Sequence, residues 1–199
     1  MKKGVARVRA PSCSAKPACS VKPGESFSPS AAGTSGRAVL GDLDIRITAD
    51  GTWYYHGTPI GRKELVCLFA STLKADDAGD YWLVTPVEFG RIAVDDAPFA
   101  AIELFSVGAG AECVVSVRTN VDEIVTIDHD HPLRIVVDPS SGEPSPYVTV
   151  RPKIEARLTR SVYYQLVELG TEEVVDNEQV YGIWSSGTFF PIGPIDPRP

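Results

Sequence analysis

The stretch Leu43-Asp44-Ile45-Arg46-Ile47-Thr48-Ala49-Asp50-Gly51-Thr52-Trp53-Tyr54-Tyr55 decides the class of fold. Leu43, Ile45 and Ile47 alternate with Asp44 and Arg46, so an extended segment here has one apolar and one polar face. Asp50-Gly51 supplies a turn, and the aromatic run Trp53-Tyr54-Tyr55 resumes an extended conformation, which together read as a β-hairpin. Past Gly57-Thr58-Pro59 the period lengthens. Within Arg62 to Leu73, Leu65, Phe69 and Leu73 recur at i, i+4 and i+8, the pattern of a helix with one buried stripe. Asp76 to Asp80 is a loop, and Tyr81-Trp82-Leu83-Val84 is a strand entering Thr85-Pro86. Hairpin, helix and strand in this order define an α+β protein.

Upstream the composition changes. Residues 1 to 40 carry seven basic groups against Glu25 alone, a charge of +6, and twenty-two of the forty are Ala, Ser, Pro or Gly. Such a segment cannot bury enough apolar surface to offset its ordering entropy, so 1–40 is expected to be a disordered basic tail. With a net charge of -7 for the whole chain, residues 41 to 199 carry -13. That acidity makes binding to a nucleic-acid duplex unfavourable, since neutralising phosphate drives such affinity. No apolar run approaches the roughly 20 residues of a membrane span. Arg7 and Arg9 interrupt the place a secretory signal would occupy, so a cytoplasmic location is expected. Cys13, Cys19, Cys67 and Cys113 lack the C-x-x-C spacing of zinc or thiol redox sites, and Cys67 and Cys113 read as reduced buried thiols.

Downstream, β-rich runs follow at Arg91 to Val94, Phe99 to Val107, Glu112 to Thr119 and Ile124 to Ile127, and they are expected to form one antiparallel sheet. Leu133 to Val137 and Tyr147 to Arg151 flank a turn at Ser141-Gly142-Glu143, a second hairpin. From Pro152, a good first helical residue, the positions Ile154, Leu158, Val162, Leu166 and Leu169 make a stripe closing at Gly170, which predicts a second helix. Tyr181-Gly182-Ile183-Trp184 is a closing strand. The two passages match in order: Ile45-Arg46-Ile47 with Leu133-Arg134-Ile135, Pro59 with Pro152, and Tyr81-Trp82-Leu83 with Tyr181-Gly182-Ile183. The expected organisation is a duplicated hairpin-helix-strand unit, with an N-terminal subdomain at 41–128 and a C-terminal one at 129–199.

Several of these strings resemble a known bacterial family. Asp50-Gly51-Thr52-Trp53-Tyr54-Tyr55-His56-Gly57-Thr58-Pro59-Ile60-Gly61-Arg62, Tyr81-Trp82-Leu83-Val84-Thr85-Pro86, His131-Pro132-Leu133-Arg134 and Arg160-Ser161-Val162-Tyr163-Tyr164 are similar to the domain-of-unknown-function family twelve-eighty-five. The likeness runs from about Gly41 to Gly193. It implies an α+β fold with a duplicated core, a C-terminal half loosely similar to pleckstrin-homology-like folds, a nucleotide-like ligand site between the halves and a role in signalling. It brings no catalytic residue with it.

The residues themselves point to an anion site. On a helix beginning at Pro152, a spacing of 100° per residue gathers Lys153, Arg157, Arg160 and Tyr164 on one face, opposite the apolar stripe. Guanidinium forks suit phosphate or carboxylate, and a tyrosine adds a stacking surface and a hydroxyl. The same geometry turns Arg62 toward Leu65, Phe69 and Leu73, where a cation needs a partner or a ligand. His56 extends the Trp53-Tyr54-Tyr55 run and can donate to phosphate or move a proton. Thr119-Asn120 ends a strand and opens a loop, a position where polar side chains meet ligands. Asp128-His129-Asp130-His131 has too few ligands for a metal site. Gly108-Ala109-Gly110 lacks the Lys-Ser/Thr ending of a phosphate loop, and Trp184-Ser185-Ser186-Gly187 is not a nucleophile elbow. No cofactor is called for. The reading that follows is a non-enzymatic module binding a small anionic or nucleotide-like ligand and reporting it to a signalling protein partner. Two alternatives stand beside it: a protein-interaction domain, and a phosphoester hydrolase using His56 or the pair His129 and His131 with Asp128 or Asp130.

Overall fold

The hairpin expected around Asp50-Gly51 forms in the computed structural model, which describes residues 27–30 and 36–195. Strand β1 (Ala38–Ile47) pairs antiparallel with β2 (Trp53–Tyr55), bringing Ile47 opposite Trp53, both of them fully buried. A two-residue β3 (Thr58–Pro59) completes the meander. Helix α1 (Lys63–Thr72) follows, and then a second meander of β4 (Leu73–Ala75), β5 (Tyr81–Val84) and β6 (Glu88–Val94). The two meanders join through β1 and β6, which run parallel, giving the order β3-β2-β1-β6-β5-β4.

A second six-stranded sheet repeats this plan of two meanders joined by one parallel pair. Strands β7 (Phe99–Val107), β8 (Val114–Thr119) and β9 (Ile124–Thr126) form one meander. Strands β10 (Leu133–Val137), β11 (Pro144–Arg151) and β12 (Ile154–Leu158) form the other. Here β12 and β7 are the parallel pair. The expectation of antiparallel pairing alone is therefore corrected: both large sheets are mixed. The chain passes from the first sheet to the second at 95–98, so residues 99–126 share a sheet with β10–β12. Helix α2 (Arg160–Glu168) then leads to a separate antiparallel sheet of β13 (Thr171–Val175), β14 (Glu178–Ser185) and β15 (Thr188–Pro194). Meander, helix, meander thus occurs twice along the chain, as β1–β3, α1, β4–β6 and as β10–β12, α2, β13–β15.

The second helix is shorter than its apolar spacing predicts. Residues 154–158 are strand β12, and Lys153 sits in the preceding turn at φ 61°. Ile154, Ala156 and Leu158 are buried at alternate positions, so the spacing of Ile154 and Leu158 fits a period of two as well as a helical turn. Lys153, Arg157, Arg160 and Tyr164 accordingly do not share a helix face, and only Arg160 and Tyr164 lie on α2. The tail reading also meets an exception among the described residues. Phe27 is buried against Trp82, Val84 and Phe89, with its ring 5.9 Å from Trp82 and 5.7 Å from Phe89. Residues 1–26 and 31–35, and with them Cys13 and Cys19, lie outside the described residues.

The three-stranded sheet is tied to the second large sheet by a buried serine. Ser185 Oγ accepts from Val115 N at 3.0 Å and donates to the Ile127 carbonyl at 2.5 Å. Beside it, Ser186 N donates to the Cys113 carbonyl. Ser185→Ala strands two buried backbone groups, and we expect a loss of about 2 kcal/mol, read as a lower urea midpoint at unchanged m-value. Among the described residues, no helix is long and apolar enough to cross a membrane.

Candidate functional site

A cleft of about 590 Å³ lies where the first sheet meets the second. The β1–β2 turn brings Ala49 and Asp50 to one wall. The other is built from Glu143, Pro144 and Pro146 of the β10–β11 hairpin, Arg157 and Leu158 of β12, and Arg160, Tyr163 and Tyr164 of α2. The parallel pairing of β12 with β7 sets Arg157 beside Ala100, which forms part of the floor.

The turn carrying Asp50 is held from both sides. Asp50 Oδ1 accepts from Thr48 Oγ1 at 2.6 Å and from Thr52 N at 3.0 Å, and these bonds keep its carboxyl below the usual carboxylate range. Behind the turn, Asn120 Nδ2 donates to the Gly51 carbonyl at 2.9 Å, while Asn120 Oδ1 accepts from Ala100 N at 3.1 Å. One amide thereby staples the first sheet to the second. Gly51 is required at this contact: its φ is +81°, and a Cβ would stand 2.8 Å from Asn120 Nδ2.

The two arginines of the cleft are held differently. Arg157 Nη1 donates to Asp96 Oδ2 at 3.0 Å and Nη2 to Ser145 Oγ at 3.2 Å, and Tyr147 donates from its hydroxyl to Asp96 Oδ1 at 2.8 Å. Burial raises the Tyr147 pKa, and the Asp96 carboxylate that accepts its proton raises it further, so the phenol stays neutral. Arg160 makes a single bond, Nη2 to Glu143 Oε1 at 2.8 Å, with both side chains largely in solvent. An exposed pair of this kind is worth about 0–1 kcal/mol and is readily exchanged for another anion. The first turn of α2 contains no acidic residue, so the helix dipole there is not already compensated. Tyr163 is half-buried, which raises its pKa, and Tyr164 is exposed.

Of the residues singled out from sequence, Arg157, Arg160 and Tyr164 come together in this cleft. Thr119 and Asn120 stand behind its wall. Thr119 is fully buried, and its Oγ1 accepts from Glu123 N at 3.1 Å to close the β8–β9 turn. His56 and Arg62 do not line the cleft. His56 sits in the β2–β3 turn at φ 47°, with Nδ1 2.6 Å from Asp44 Oδ2 on an open surface. Arg62 is exposed, contrary to the helical projection, because it is the extended residue before α1 and its carbonyl accepts from Leu65 N and Val66 N. In the Asp128–His131 segment, Asp128 Oδ1 accepts from the backbone of Asp130 and His131, and His129 points into solvent. Sequence reasoning missed Asp50, Asp96, Glu143 and Tyr163. Asp50 and Glu143 read from sequence as turn residues alone, Tyr163 adjoins Tyr164, and Asp96 carries no local pattern.

Comparison with known proteins divides the chain where it passes from the first sheet to the second, at 95–98. The N-terminal domain of the DUF1285 family, a domain of unknown function, matches residues 37–97, and the family's C-terminal domain matches 98–192. The structure is similar to the crystal structure of a DUF1285 family protein from Silicibacter pomeroyi DSS-3. The two are 42% identical with a TM-score of 0.74, over 80% of this chain and 84% of that one. It is also similar to a DUF1285 family protein from Shewanella baltica OS155, at 27% identity and a TM-score of 0.51, over 63% of this chain and 91% of that one. No functionally curated protein matches the chain. With both family domains matched in order along one chain, and a solved relative sharing its architecture, the protein belongs to the DUF1285 family.

Proposed function

We propose that this protein is a binding module for a small anionic, nucleotide-like ligand held in the cleft between the two large sheets, and that it reports occupancy to a signalling partner in the cytoplasm. One observation carries the reading: Arg160, exchangeably paired to Glu143, stands in the same cleft as the anchored Arg157 and the rings of Tyr163 and Tyr164. A phosphate or carboxylate replaces Glu143 on Arg160 at little cost, while a planar group packs on Tyr164 and on Pro144 and Pro146 of the same wall. The volume is that of a small-molecule site. None of the three histidines lines the cleft, which supports binding over histidine-dependent hydrolysis. The loose pleckstrin-homology-like likeness of the C-terminal half also belongs to this reading, and its support is a sheet meander followed by a helix at the ligand face.

The test is thermal melting of the full chain with a panel of nucleotides and phosphorylated metabolites. A ligand at 100 times its Kd adds about 2.7 kcal/mol, which raises the midpoint by about 5–10 °C for a chain of this size. The expected result is a shift for a phosphorylated aromatic compound that disappears in Arg160→Ala. Absence of any shift, or a shift that Arg160→Ala leaves intact, overturns the reading.

A further inference from the structure

We infer that the outer edge of β13 is a docking site for a basic, extended segment of a partner protein, which adds to the β13-β14-β15 sheet as a fourth strand. The inference goes beyond the cleft and does not depend on it.

Strand β13 (Thr171–Val175) ends its sheet, and among the described residues nothing pairs with its far side. The β13–β14 connection is a two-residue turn, Asp176-Asn177, with φ of 52° and 70°, the signature of type I′. Such a turn places a hydrogen-bonded pair at its base, here Val175 with Glu178. The ladder alternates from there, so Glu172 and Val174 turn their backbone N–H and C=O groups outward. These are the groups an incoming strand would bond.

Most sheet edges are blocked by lysine, proline, a bulge or extreme shortness. The edges of this protein follow the rule elsewhere. Strand β15 carries Pro191 and Pro194, β3 and β9 have two and three residues, β4 is largely buried, and β10 lies alongside β15. Strand β13 has five residues with no Pro, Lys or Gly and no shift of register, and it exposes Val174 and Val175.

Charge decides the occupant. Between Ser161 and Ile195 there is no Lys or Arg, whereas Glu168, Glu172, Glu173, Asp176 and Glu178 cluster on and around the hairpin. Two copies meeting edge to edge would set these carboxylates against one another, which disfavours self-pairing. A strand of alternating basic and β-branched residues instead sets all its cations on one face, beside Glu173 and Glu178, and its methyl groups on the other, beside Val174. Main-chain bonds then supply affinity and side-chain charge supplies selectivity, as in other β-augmentation sites.

The probe is a capped ten-residue peptide of alternating Lys and Val, labelled for fluorescence anisotropy and titrated with the full chain at low salt. The same peptide with Glu in place of Lys serves as control. The expected result is saturable binding of the Lys peptide alone, weakened at least tenfold by Val174→Pro, which removes an outward N–H without changing charge. Val174→Lys, the natural form of edge protection, should weaken it similarly while melting like the parent. Four results overturn the proposal: no binding of the Lys peptide, equal binding of the Glu peptide, binding unchanged in both variants, or concentration-dependent self-association abolished by Val174→Lys. Where the first of these arises because the peptide binds only after Lys2, Lys3, Arg7 and Arg9 are changed to Gln, the occupant is the chain's own basic segment and not a partner.

Discussion

Replacing Asp76 by Ala lowers the thermal midpoint by about 6–12 °C, following a loss of about 3 kcal/mol in a chain of this size. Asp76 is a buried charged residue at the end of β4. Its Oδ1 accepts from Ala78 N and Asp80 N, each at 2.9 Å, and its Oδ2 accepts from Trp82 Nε1 at 2.9 Å. The alanine variant leaves three donors without that acceptor. It also loosens Trp82, against which Phe27 packs, so tryptophan fluorescence should shift together with the melting curve. Asp76→Asn retains the shape and one acceptor oxygen, and we expect it to recover roughly half of the loss. A melting curve for Asp76→Ala that overlays the parent's would show that these bonds contribute nothing net.

The same site predicts a pH dependence with a definite sign. Burial pushes the Asp76 carboxyl upward, but the bonds from Trp82, Asp80, Ala78 and Gly79 outweigh it and leave the pKa below its ordinary value. A group depressed in the folded state contributes stability that is fully present above its unfolded pKa of about 3.9 and is lost as pH falls through the folded value. Asp50, Asp122 and Asp128 are lowered as well, the last despite its burial, and act in the same direction. The gap in urea midpoint between the parent and Asp76→Ala should therefore be wide at pH 7 and narrow once the pH falls below the ordinary carboxylate pKa of about 3.9.

Asn120→Ala is expected to cost about 2–3 kcal/mol, because it removes the donor to the Gly51 carbonyl and the acceptor for Ala100 N at once. Both of those residues are buried. Asn120→Asp should be no better than the alanine, since a carboxylate oxygen would then face the Gly51 carbonyl at the 2.9 Å now spanned by a hydrogen bond. The staple holds one wall of the cleft, so its loss has a local signature too. Amide exchange across Thr48 to Thr52 should rise by at least tenfold in Asn120→Ala beyond what the change in global stability explains. Unchanged exchange there, with only a uniform loss of stability, would mean that the turn holds Asp50 in place without Asn120. The sequence places Thr119-Asn120 at a strand end that opens a loop, where polar side chains meet ligands. The structure shows both side chains engaged within the protein, Asn120 between the sheets and Thr119 within its turn.

The elements that could be read from sequence are those whose cause is local. Alternation at Leu43, Ile45 and Ile47, the Asp50-Gly51 turn and the Leu65-Phe69-Leu73 stripe each specify a face and a period within a dozen residues, and β1, β2 and α1 form where they predict. The span 154–158 failed for the same reason. Residues four apart lie on one side of both a helix and a strand, and what decides between them is the neighbour, β7, more than fifty residues away. The outer strands β13 and β15 were not recognised, because an exposed edge has no strong alternation of burial to display.

Half of the candidate site was legible for the same reason. The sequence groups Lys153, Arg157, Arg160 and Tyr164 on one helix face; Lys153 lies elsewhere, paired with Asp77, and the other three do meet, but across a strand and a helix joined at Thr159. Their partners Asp96 and Glu143 were invisible, since each reaches its arginine only through the pairing of remote segments: Asp96 lies 61 residues from Arg157, and Glu143 lies 17 from Arg160. From its own residues, then, this protein determines the β1–β2 hairpin and its turn, helix α1, that its folded part is acidic, and that arginine and tyrosine are available for an anion. Tertiary structure alone decides that β1 lies parallel to β6 and β12 to β7, that a cleft opens between the sheets, and that Arg157 is anchored while Arg160 is exchangeable. Hydrogen-bond period and turn chemistry act over a few residues, whereas sheet order and ion pairing are settled by which distant surfaces bury one another best.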